Sequence, residues 1–351
     1  MFKRLFGKFS KDMGLDLGTT NTLVYVSGKG ILMNEPSVIA INTKTDQILA
    51  IGEEAVKMLG KTPPHITATR PLAHGIISDF EAVEKMLGYF IDKVHKEGSS
   101  IFAHPRIITS TPIEITGVEK KAIEDAALQA GARKVYLIEE PLAAAIGARL
   151  PIQEATGSMI VNIGGGLTEV AVISLGGIVT GRSLTIAGEE LNKNLIHYVQ
   201  SEMGILLGEG TAEQLKLRIG SAYPTKETYE AKVRGRDITT GLPREAVITD
   251  GQVREALQRP LKALVESLKD VLEMTPPELV AEIYQKGIVL CGGTALLRGI
   301  DKYLSAELRI PANVVDDPQT AVIRGIGIVL ENFEQLKGML TSSIDDEIDI
   351  R

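Results

Sequence analysis

Two stretches of the sequence share one pattern: MGLDLGTTNTLVYV at residues 13–26 and MIVNIGGGLTEVAVI at residues 159–173. In each, β-branched and other apolar residues flank a turn that contains glycine, which predicts a strand, a tight turn and a second strand. Helical patterns follow each stretch after an interval. The repetition predicts a duplicated α/β domain in which a phosphate-binding hairpin opens each copy, with the second copy beginning near residue 150.

Composition narrows the class of protein. A chain of 351 residues predicts about two domains, and an apolar content of 44% is sufficient for buried cores. The net charge of -7 provides no basic field, so we expect no nucleic acid partner. The single cysteine, Cys291, cannot form an internal disulfide, which predicts a reducing, cytoplasmic setting. No apolar run reaches the roughly 18 residues of a membrane span.

The first eleven residues differ from the rest of the chain. They carry four basic residues and no acidic one: Lys3, Arg4, Lys8 and Lys11. Their apolar side chains recur at the i, i+3, i+4 and i+7 spacing of one helix face, and these are Phe2, Leu5, Phe6 and Phe9. The pattern predicts a short amphipathic helix in residues 1–11.

The remaining segments alternate between strand and helix patterns. Thr116 and Glu119 form a capping-box pattern at the start of one helix, and Pro141 is expected to open another. The predicted strands are 105–113, 135–138 and 288–291. The other predicted helices are 116–131, 188–204, 211–219, 251–273 and about 319–338, with an acidic tail after the last.

The turn of the first hairpin, DLGTTN at residues 16–21, has the residue types of an anion site. Gly18 lets backbone N–H groups approach a phosphate, and Thr19 and Thr20 add hydroxyl donors. Asp16 could hold Mg²⁺ through water, because Mg²⁺ keeps several waters and few carboxylates. Alone, this hexapeptide favours a plain hairpin with a polar turn.

The turn of the second hairpin favours the interpretation as an anion site over that of a plain hairpin. Gly164, Gly165 and Gly166 leave three consecutive positions without side chains, which is costly beside a strand unless a ligand or another backbone comes close. Two such turns in matching halves favour a clamp on the two sides of a polyphosphate over a flexible linker.

Two further segments have alternative interpretations. Gly292-Gly293-Thr294 lies between a predicted strand and a predicted helix, where glycines serve a phosphate, make room for a base, or form only a turn. Glu140, before Pro141, could support a metal or simply stabilise the helix N-terminus. The sequence contains neither a P-loop nor a Rossmann glycine motif.

Collinear blocks along nearly the entire chain resemble the MreB/Mbl family of bacterial actins. They include DLGTTNTLVYVSGKGI (16–31), NEPSVIAI (34–41), RPLAHGIISDF (70–80), LIEEPLAAAIGA (137–148), GGGLTEVAVISLGGIV (164–179), GEGTAEQLKLRIG (208–220), GIVLCGGTALLRGID (287–301) and DDPQTAVIRG (316–325). The resemblance implies an α/β, actin-like fold, a duplicated ribonuclease-H-like architecture of two domains. ATP and Mg²⁺ would occupy the cleft between the domains.

The same resemblance implies a domain layout. After the amphipathic membrane-binding segment 1–11, domain I would span 12–148, with a small subdomain at about 32–75. Domain II would span 149–318, with a small subdomain at about 187–250. A C-terminal helix at 319–340 would return to domain I and precede the acidic tail 341–351.

The resemblance also implies roles for individual residues. Asp16 and Glu140 would hold Mg²⁺ through water. Catalytic roles would fall to Glu119, Thr168 and the position of Asn162. Glu119 would position the attacking water, and its role in the capping box is the alternative. The expected nucleotide contacts are Gly18, Thr19, Thr20, Asn21, Gly164, Gly165, Gly166, Leu167, Glu213, Gln214, Leu215, Lys216, Gly292, Gly293, Thr294 and Ala295.

Three residues depart from the family pattern. Asn162 stands where the family has aspartate, Leu167 where it has threonine, and Thr294 where it has the third glycine of an adenosine motif. Asparagine carries no charge and cannot act as a base. Because binding rests on many contacts and hydrolysis on few, we expect ATP to bind and to be hydrolysed weakly.

Assembly on a membrane is the last implication of the resemblance. The amphipathic segment matches the family's membrane anchor, and Ile101 and Phe102 match its second apolar membrane contact. Each subunit would bind lipid weakly, so a filament would be attached by avidity. The expected partners are further copies of the chain in paired protofilaments, the inner face of the cytoplasmic membrane, and membrane proteins of wall elongation.

Two other classes of the same superfold are rival hypotheses. A metabolic kinase would need a catalytic base, which the sequence does not identify. A chaperone-type ATPase would need a peptide-binding domain, and none is expected after residue 340.

Overall fold

A computed structural model describes residues 11–96 and 104–341 of the chain. The predicted membrane residues Phe2, Leu5, Phe6, Phe9, Ile101 and Phe102 lie outside the described residues, as does the acidic tail beyond Thr341. The chain divides into two units. One contains the residues up to Glu154, Leu175–Ile178 and those from Gln319 onwards, and the other contains Ala155–Ser174 and Val179–Pro318.

The described residues form strands, α-helices and short 3-10 helices. The strands are β1 (Met13–Leu17), β2 (Asn21–Val26), β3 (Gly30–Pro36), β4 (Ile39–Asn42), β5 (Gln47–Ile51), β6 (Ile66–Thr69), β7 (Leu72–Ala73), β8 (Ile76–Ile77), β9 (Arg106–Thr111), β10 (Lys134–Glu139), β11 (Ser158–Ile163), β12 (Thr168–Ser174), β13 (Gly177–Leu184), β14 (Ile205–Leu206), β15 (Glu230–Asp237), β16 (Pro243–Thr249), β17 (Ile288–Cys291) and β18 (Ala312–Val314). The α-helices are α1 (Glu53–Val56), α2 (Phe80–Lys96), α3 (Gly117–Gln129), α4 (Glu140–Gly147), α5 (Gly188–Met203), α6 (Glu209–Ile219), α7 (Asp250–Met274), α8 (Pro277–Lys286), α9 (Ile300–Leu308), α10 (Ala321–Glu331) and α11 (Phe333–Leu336). The 3-10 helices are Gly293–Leu296, Pro318–Thr320 and Lys337–Met339. Within the described ranges, no helix is long and apolar enough to cross a membrane.

The central sheet of the first unit has the strand order β10-β9-β1-β2-β3. β1 pairs antiparallel with β2 and parallel with β9, and β9 pairs parallel with β10. Every residue of β1 is buried, as expected for a strand that is covered on both faces. Met13, Leu15 and Leu17 share a core with α2 and α3, whereas Gly14 faces Ile326 of α10.

The second unit repeats this arrangement. Its central sheet has the order β18-β17-β11-β12-β13. β11 pairs antiparallel with β12 and parallel with β17, and β17 pairs parallel with β18. Its core joins β11 to α5, α6 and α7. The shared strand order confirms the prediction of a duplicated α/β fold.

Smaller sheets accompany the central ones. In the first unit, β4 lies between β5 and β6, and β7 pairs with β8. In the second unit, β15 lies between β14 and β16. These small sheets fall within the chain segments 39–77 and 205–249.

The predicted elements agree with the observed ones to within about two residues, with two exceptions. The capping box is confirmed, because Thr116 and Glu119 exchange both of its hydrogen bonds at the start of α3. The helix predicted directly after Gly293 is wrong: a four-residue 3-10 helix stands there, and α9 begins only at Ile300. The single helix predicted over 319–338 is also wrong, because Asn332 leaves helical geometry between α10 and α11.

Helices α4 and α10 cross so closely that two positions require glycine. A Cβ at Gly147 would overlap the Ala321 carbonyl, and a Cβ at Gly325 would overlap the Ala143 carbonyl. We therefore expect Gly147→Ala and Gly325→Ala each to lower the free energy of unfolding by about 1–3 kcal/mol, the usual cost of overpacking.

Urea unfolding followed by circular dichroism measures this loss. Gly88→Ala in α2 is the matched control, because a Cβ there meets nothing within 4 Å. We expect that control to be neutral or to stabilise the protein by about 0.5–1 kcal/mol. Equal stability of all three variants would contradict the close crossing.

Candidate functional site

The turn of the first hairpin, residues 18–21, is held by the buried side chain of Ser37. Ser37 Oγ donates to the Gly18 carbonyl at 2.6 Å, and the Ser37 N–H donates to the Thr20 carbonyl at 2.8 Å. A Cβ at Gly18 would lie 2.6 Å from the Asn21 carbonyl oxygen, so the turn requires glycine. A trans peptide directs its C=O and N–H oppositely, so the Thr19 N–H points away from Ser37.

Of the other predicted nucleotide residues of this hairpin, Thr19 and Asn21 have side-chain hydrogen-bond partners and Thr20 is exposed. Thr19 is buried, and its Oγ1 accepts a hydrogen bond from the Gly75 N–H at 3.0 Å. Thr20 is exposed. Asn21 donates from Nδ2 to Asn34 Oδ1 at 2.7 Å. The turn therefore has a fixed shape before any ligand binds.

Asp16 is a buried carboxylate two residues before Gly18. It is 8% exposed, and its Oδ1 accepts a hydrogen bond from Ser110 Oγ of β9 at 3.0 Å. Burial raises the pKa of Asp16 to about 6, and the hydrogen bond from Ser110 opposes that rise. A nearby cation would favour the charged form of this carboxylate.

Parallel pairing brings the predicted residues of the first unit to one edge of its sheet. The strands β1, β9 and β10 are parallel, so their carboxyl ends meet there. Asp16 lies near the end of β1, the Gly18 turn follows that strand, and Glu140 begins α4 directly after β10. Glu119 lies in the first turn of α3, the helix that follows β9. This is the usual position of ligand sites in α/β sheets.

Glu119 completes the capping box with its own carboxylate. Glu119 Oε2 accepts hydrogen bonds from the Thr116 N–H at 2.8 Å and from Thr116 Oγ1 at 2.7 Å. The side-chain and then the backbone hydrogen bond from Thr116 lower the pKa of Glu119. The capping role is thus present in the structure, and the catalytic role stays a prediction.

The turn of the second hairpin is held by the start of α5. The Gly188 N–H donates to the Gly164 carbonyl at 3.1 Å, and the Glu189 N–H donates to the Gly165 carbonyl at 2.7 Å. Both carbonyls face α5, so the N–H groups of Gly165 and Gly166 are directed to the opposite side. Two successive N–H groups aimed one way form an anion-binding concavity.

The three substituted or catalytic positions of the second hairpin lie at that same turn. Asn162 is 3% exposed, and its Oδ1 accepts a hydrogen bond from Cys291 Sγ at 3.4 Å. Cys291 is buried. Thr168 is buried, and its hydroxyl donates to the Ile186 carbonyl at 2.6 Å. Leu167 accepts the Gly164 N–H at 2.9 Å through its backbone, and its side chain offers no hydroxyl.

The α6 residues predicted to bind the nucleoside differ in how far their side chains are exposed. Lys216 is buried and donates from Nζ to the Gly188 carbonyl at 3.0 Å and to Glu213 at 2.8 Å. Gln214 is exposed. Leu215 points into the hydrophobic core, so any contact that it makes with a nucleotide is through its backbone.

The Gly292–Ala295 segment follows β17 and lies beside β11. Gly292 has a φ of 86°, and a Cβ there would meet the Ile163 carbonyl. Thr294 Oγ1 donates to the Gly164 carbonyl at 2.7 Å, and Ala295 is buried in the core. Gly292 therefore permits a close backbone approach. The interpretation of this segment as an α-helix N-terminus is wrong, because a four-residue 3-10 helix is present instead.

The residues present fit a nucleoside polyphosphate. Each unit has a hairpin turn where a Cβ at Gly18 or Gly164 would strike a turn carbonyl, and each turn directs backbone N–H groups to one side. No group of three or more His, Cys, Asp or Glu residues in the described ranges could hold a metal. A Mg²⁺ ion would therefore depend on phosphate oxygens, water and no more than two carboxylates, such as Asp16 and Glu140, which suits this cation.

Sequence reasoning missed three residues that hold the predicted site residues in place. Ser37, Ser110 and Gly188 touch predicted site residues but were not predicted to do so. Their signals were weak: Ser37 follows Pro36, Ser110 lies in a predicted buried strand, and Gly188 starts a predicted helix. None of these features identifies a partner.

Solved structures share the architecture of both units. The structure of MreB 5 of Spiroplasma citri bound to AMPPNP has a TM-score of 0.89 and 36% identity, covering 94% of this chain and 98% of that one. The MamK double helical filament has a TM-score of 0.75 and 22% identity, covering 92% of this chain and 99% of that one. The two central sheets have the same strand order, and each contains a glycine hairpin. Together with the similarity to these solved structures, this arrangement defines an actin-like fold.

The family follows from the sequence comparisons. The MreB/Mbl protein family model matches residues 10–338. The cell shape-determining protein MreB of Escherichia coli strain K12 is 49% identical over 346 residues, covering 97% of this chain and 99% of that protein. The chain belongs to the MreB/Mbl family, as the collinear sequence blocks predicted.

Proposed function

We propose that this chain is an ATP-binding cytoskeletal protein that polymerises on the inner face of the cytoplasmic membrane. There it would determine rod cell shape by organising wall synthesis, together with membrane proteins of wall elongation. Family membership and the cell-shape function named for the Escherichia coli relative support the cellular role. The observation that carries the proposal is the pair of pre-shaped glycine hairpins, one in each unit.

ATP is the proposed ligand because the donors suit phosphates and the related MreB 5 structure carries AMPPNP. The Gly18–Asn21 and Gly164–Leu167 turns would bind phosphate oxygens. Glu213 and Lys216 would contact the nucleoside, and Gly292–Ala295 would pass beneath it. Asp16 and Glu140 would hold Mg²⁺ through water, and the bound ion would neutralise phosphate charge.

Hydrolysis is proposed to be weak. The buried Asn162 supplies neither charge nor proton affinity, and Leu167 lacks a hydroxyl. Glu119 and Thr168 would be the remaining catalytic groups. Filaments of this protein would therefore keep bound ATP for longer than filaments of relatives with aspartate at position 162.

Membrane attachment is proposed at one edge of the central sheet of the first unit. β1 and β9 are parallel, with Met13 paired to Ile107, so the segments before the two strands enter at the same edge. Asp12 accepts hydrogen bonds from the backbone and guanidinium of Arg106 and from Arg133. The described residues nearest in sequence to the predicted anchor and to Ile101-Phe102 therefore lie on neighbouring strands, which are about 5 Å apart.

The first prediction tests nucleotide-dependent assembly. With ATP, Mg²⁺ and anionic liposomes, the purified protein should pellet and form paired protofilaments visible by electron microscopy. Gly18→Ala should abolish ATP-dependent pelleting, because its Cβ would strike the Asn21 carbonyl. Gly177→Ala is the matched control, because a Cβ there meets nothing within 4 Å.

The same preparation separates the proposal from a metabolic kinase. Phosphorylation of a panel of small hydroxyl and carboxylate substrates should be absent while pelleting is present. Phosphoryl transfer without filaments, across a range of salt and protein concentration, would refute the cytoskeletal function.

A further inference from the structure

The carbonyl oxygen of Gly164 accepts two hydrogen bonds from elements far apart in the sequence. The Gly188 N–H donates at 3.1 Å from the start of α5, and Thr294 Oγ1 donates at 2.7 Å from the 3-10 helix. A carbonyl oxygen has two lone pairs, so these two donors use its full accepting capacity. The Gly164–Gly165 peptide is therefore held from two directions.

We propose that Thr294 is a positioning residue for phosphate binding, acting through the carbonyl of Gly164. Its hydroxyl fixes the peptide rotation that directs the Gly165 N–H to the side opposite α5. The inference rests on the proposed nucleotide-binding function. Without the hydroxyl, one hydrogen bond alone holds this carbonyl, in a turn of three consecutive glycines with wide conformational freedom. Phosphate binding would then have to order the peptide, which lowers affinity.

The first hairpin has an equivalent restraint. Gly18 and Gly164 each follow a paired strand position, Leu17 with Thr22 and Ile163 with Thr168. The Gly18 carbonyl accepts a hydrogen bond from Ser37 Oγ at 2.6 Å. In both copies of the fold, a hydroxyl group from a distant segment thus holds the carbonyl at the equivalent position of the turn, Gly18 or Gly164. This repetition points to the turn, rather than to packing of the 3-10 helix, as the purpose of the Thr294 hydroxyl.

The start of α5 packs closely against the hydroxyl of Thr294. A Cβ at Gly188 would lie only 2.8 Å from Thr294 Oγ1 and 3.3 Å from Lys216 Nζ. The space beside the Thr294 hydroxyl is therefore filled by the start of α5. A serine retains the donor in the same space, whereas alanine removes the donor and adds no bulk.

Equilibrium binding of ATP and adenosine to the full-length parent, Thr294→Ala and Thr294→Ser tests the inference. Thr294→Ala should raise the Kd for ATP about three- to tenfold, the ratio that corresponds to one lost hydrogen bond. Thr294→Ser should restore the parent Kd to within about twofold. The Kd for adenosine should rise less than the Kd for ATP, because adenosine has no phosphate to contact the turn.

The outcomes separate this inference from the proposed function. A parent that binds no ATP overturns the proposed function and the inference with it. A parent that binds ATP no more tightly than Thr294→Ala overturns the inference alone. Equal losses for ATP and adenosine, or no rescue by serine, would show a general packing role and also overturn it.

Discussion

Deleting residues 2–9 is expected to release filaments from anionic liposomes while ATP-dependent pelleting persists. The deletion removes four apolar side chains, and burying each phenylalanine in the membrane interface contributes about 1.5–3 kcal/mol. The basic residues contribute only about 1 kcal/mol each near an anionic surface, and the deletion removes three of the four. Because every subunit in a filament loses the same contact, avidity cannot compensate. Flotation of the liposomes at fixed ATP measures the release, because lipid-bound filaments float and free filaments pellet.

Two sets of variants divide the effect into its apolar and electrostatic parts. Phe2→Glu with Phe6→Glu should reproduce most of the release at any salt concentration. Lys3→Gln with Lys8→Gln should weaken binding less, and mainly at low salt. Flotation of the deletion variant with liposomes at the parent level would rule out an N-terminal anchor.

Local patterns in the sequence predicted several of the elements that the structure contains. The two hairpins were predictable because apolar strands and glycine turns lie within about fifteen adjacent residues. The capping box of α3 was predictable because Thr116 and Glu119 are one turn apart. The break in the helix at Asn332 was not predictable, because the apolar periodicity of the sequence continues across it. Two glycines before a helical pattern likewise do not determine whether the next turn is α or 3-10.

Contacts between segments that are distant in the chain could not be predicted from the sequence. Thr294 and Gly164 are 130 positions apart, and only the parallel pairing of β11 with β17 brings their segments together. The resemblance named Leu215 and Ala295 as contact positions without saying which atoms serve. The structure places both side chains in the core, which leaves their backbones.

The opposing side chains of the second hairpin give a physical reason for asparagine at position 162. Asn162 is paired directly with Glu169 across β11 and β12, and paired residues of antiparallel strands share one face. Glu169 is 1% exposed, so an aspartate at 162 would place two carboxylates together in a buried setting. In the first hairpin, Asp16 is instead paired with Leu23. Each hairpin therefore carries a single buried carboxylate.

Asn162→Asp is expected to raise the rate of phosphate release from ATP, in full only when Leu167→Thr is added. Aspartate supplies the charge and proton affinity that asparagine lacks, and a missing positioned polar group typically costs about 10²–10³ in rate. The nucleotide-free variant should unfold at a lower temperature than the parent, because the two carboxylates repel each other. A steady-state phosphate-release assay and thermal unfolding with and without Mg²⁺ and ATP measure both effects.

The residual ATP hydrolysis of the parent protein is expected to depend on Glu119. Glu119→Ala should lower it, but this change also removes the capping box. Glu119→Gln is the matched control, because glutamine at this position keeps the capping box and loses only the charge. If Glu119 acts in catalysis, both variants lose activity while Glu119→Gln keeps the parent's thermal stability. A parent rate equal to or above that of the aspartate variant would show that Asn162 does not limit hydrolysis. Parent activity in Glu119→Gln would leave this residue with its capping role alone.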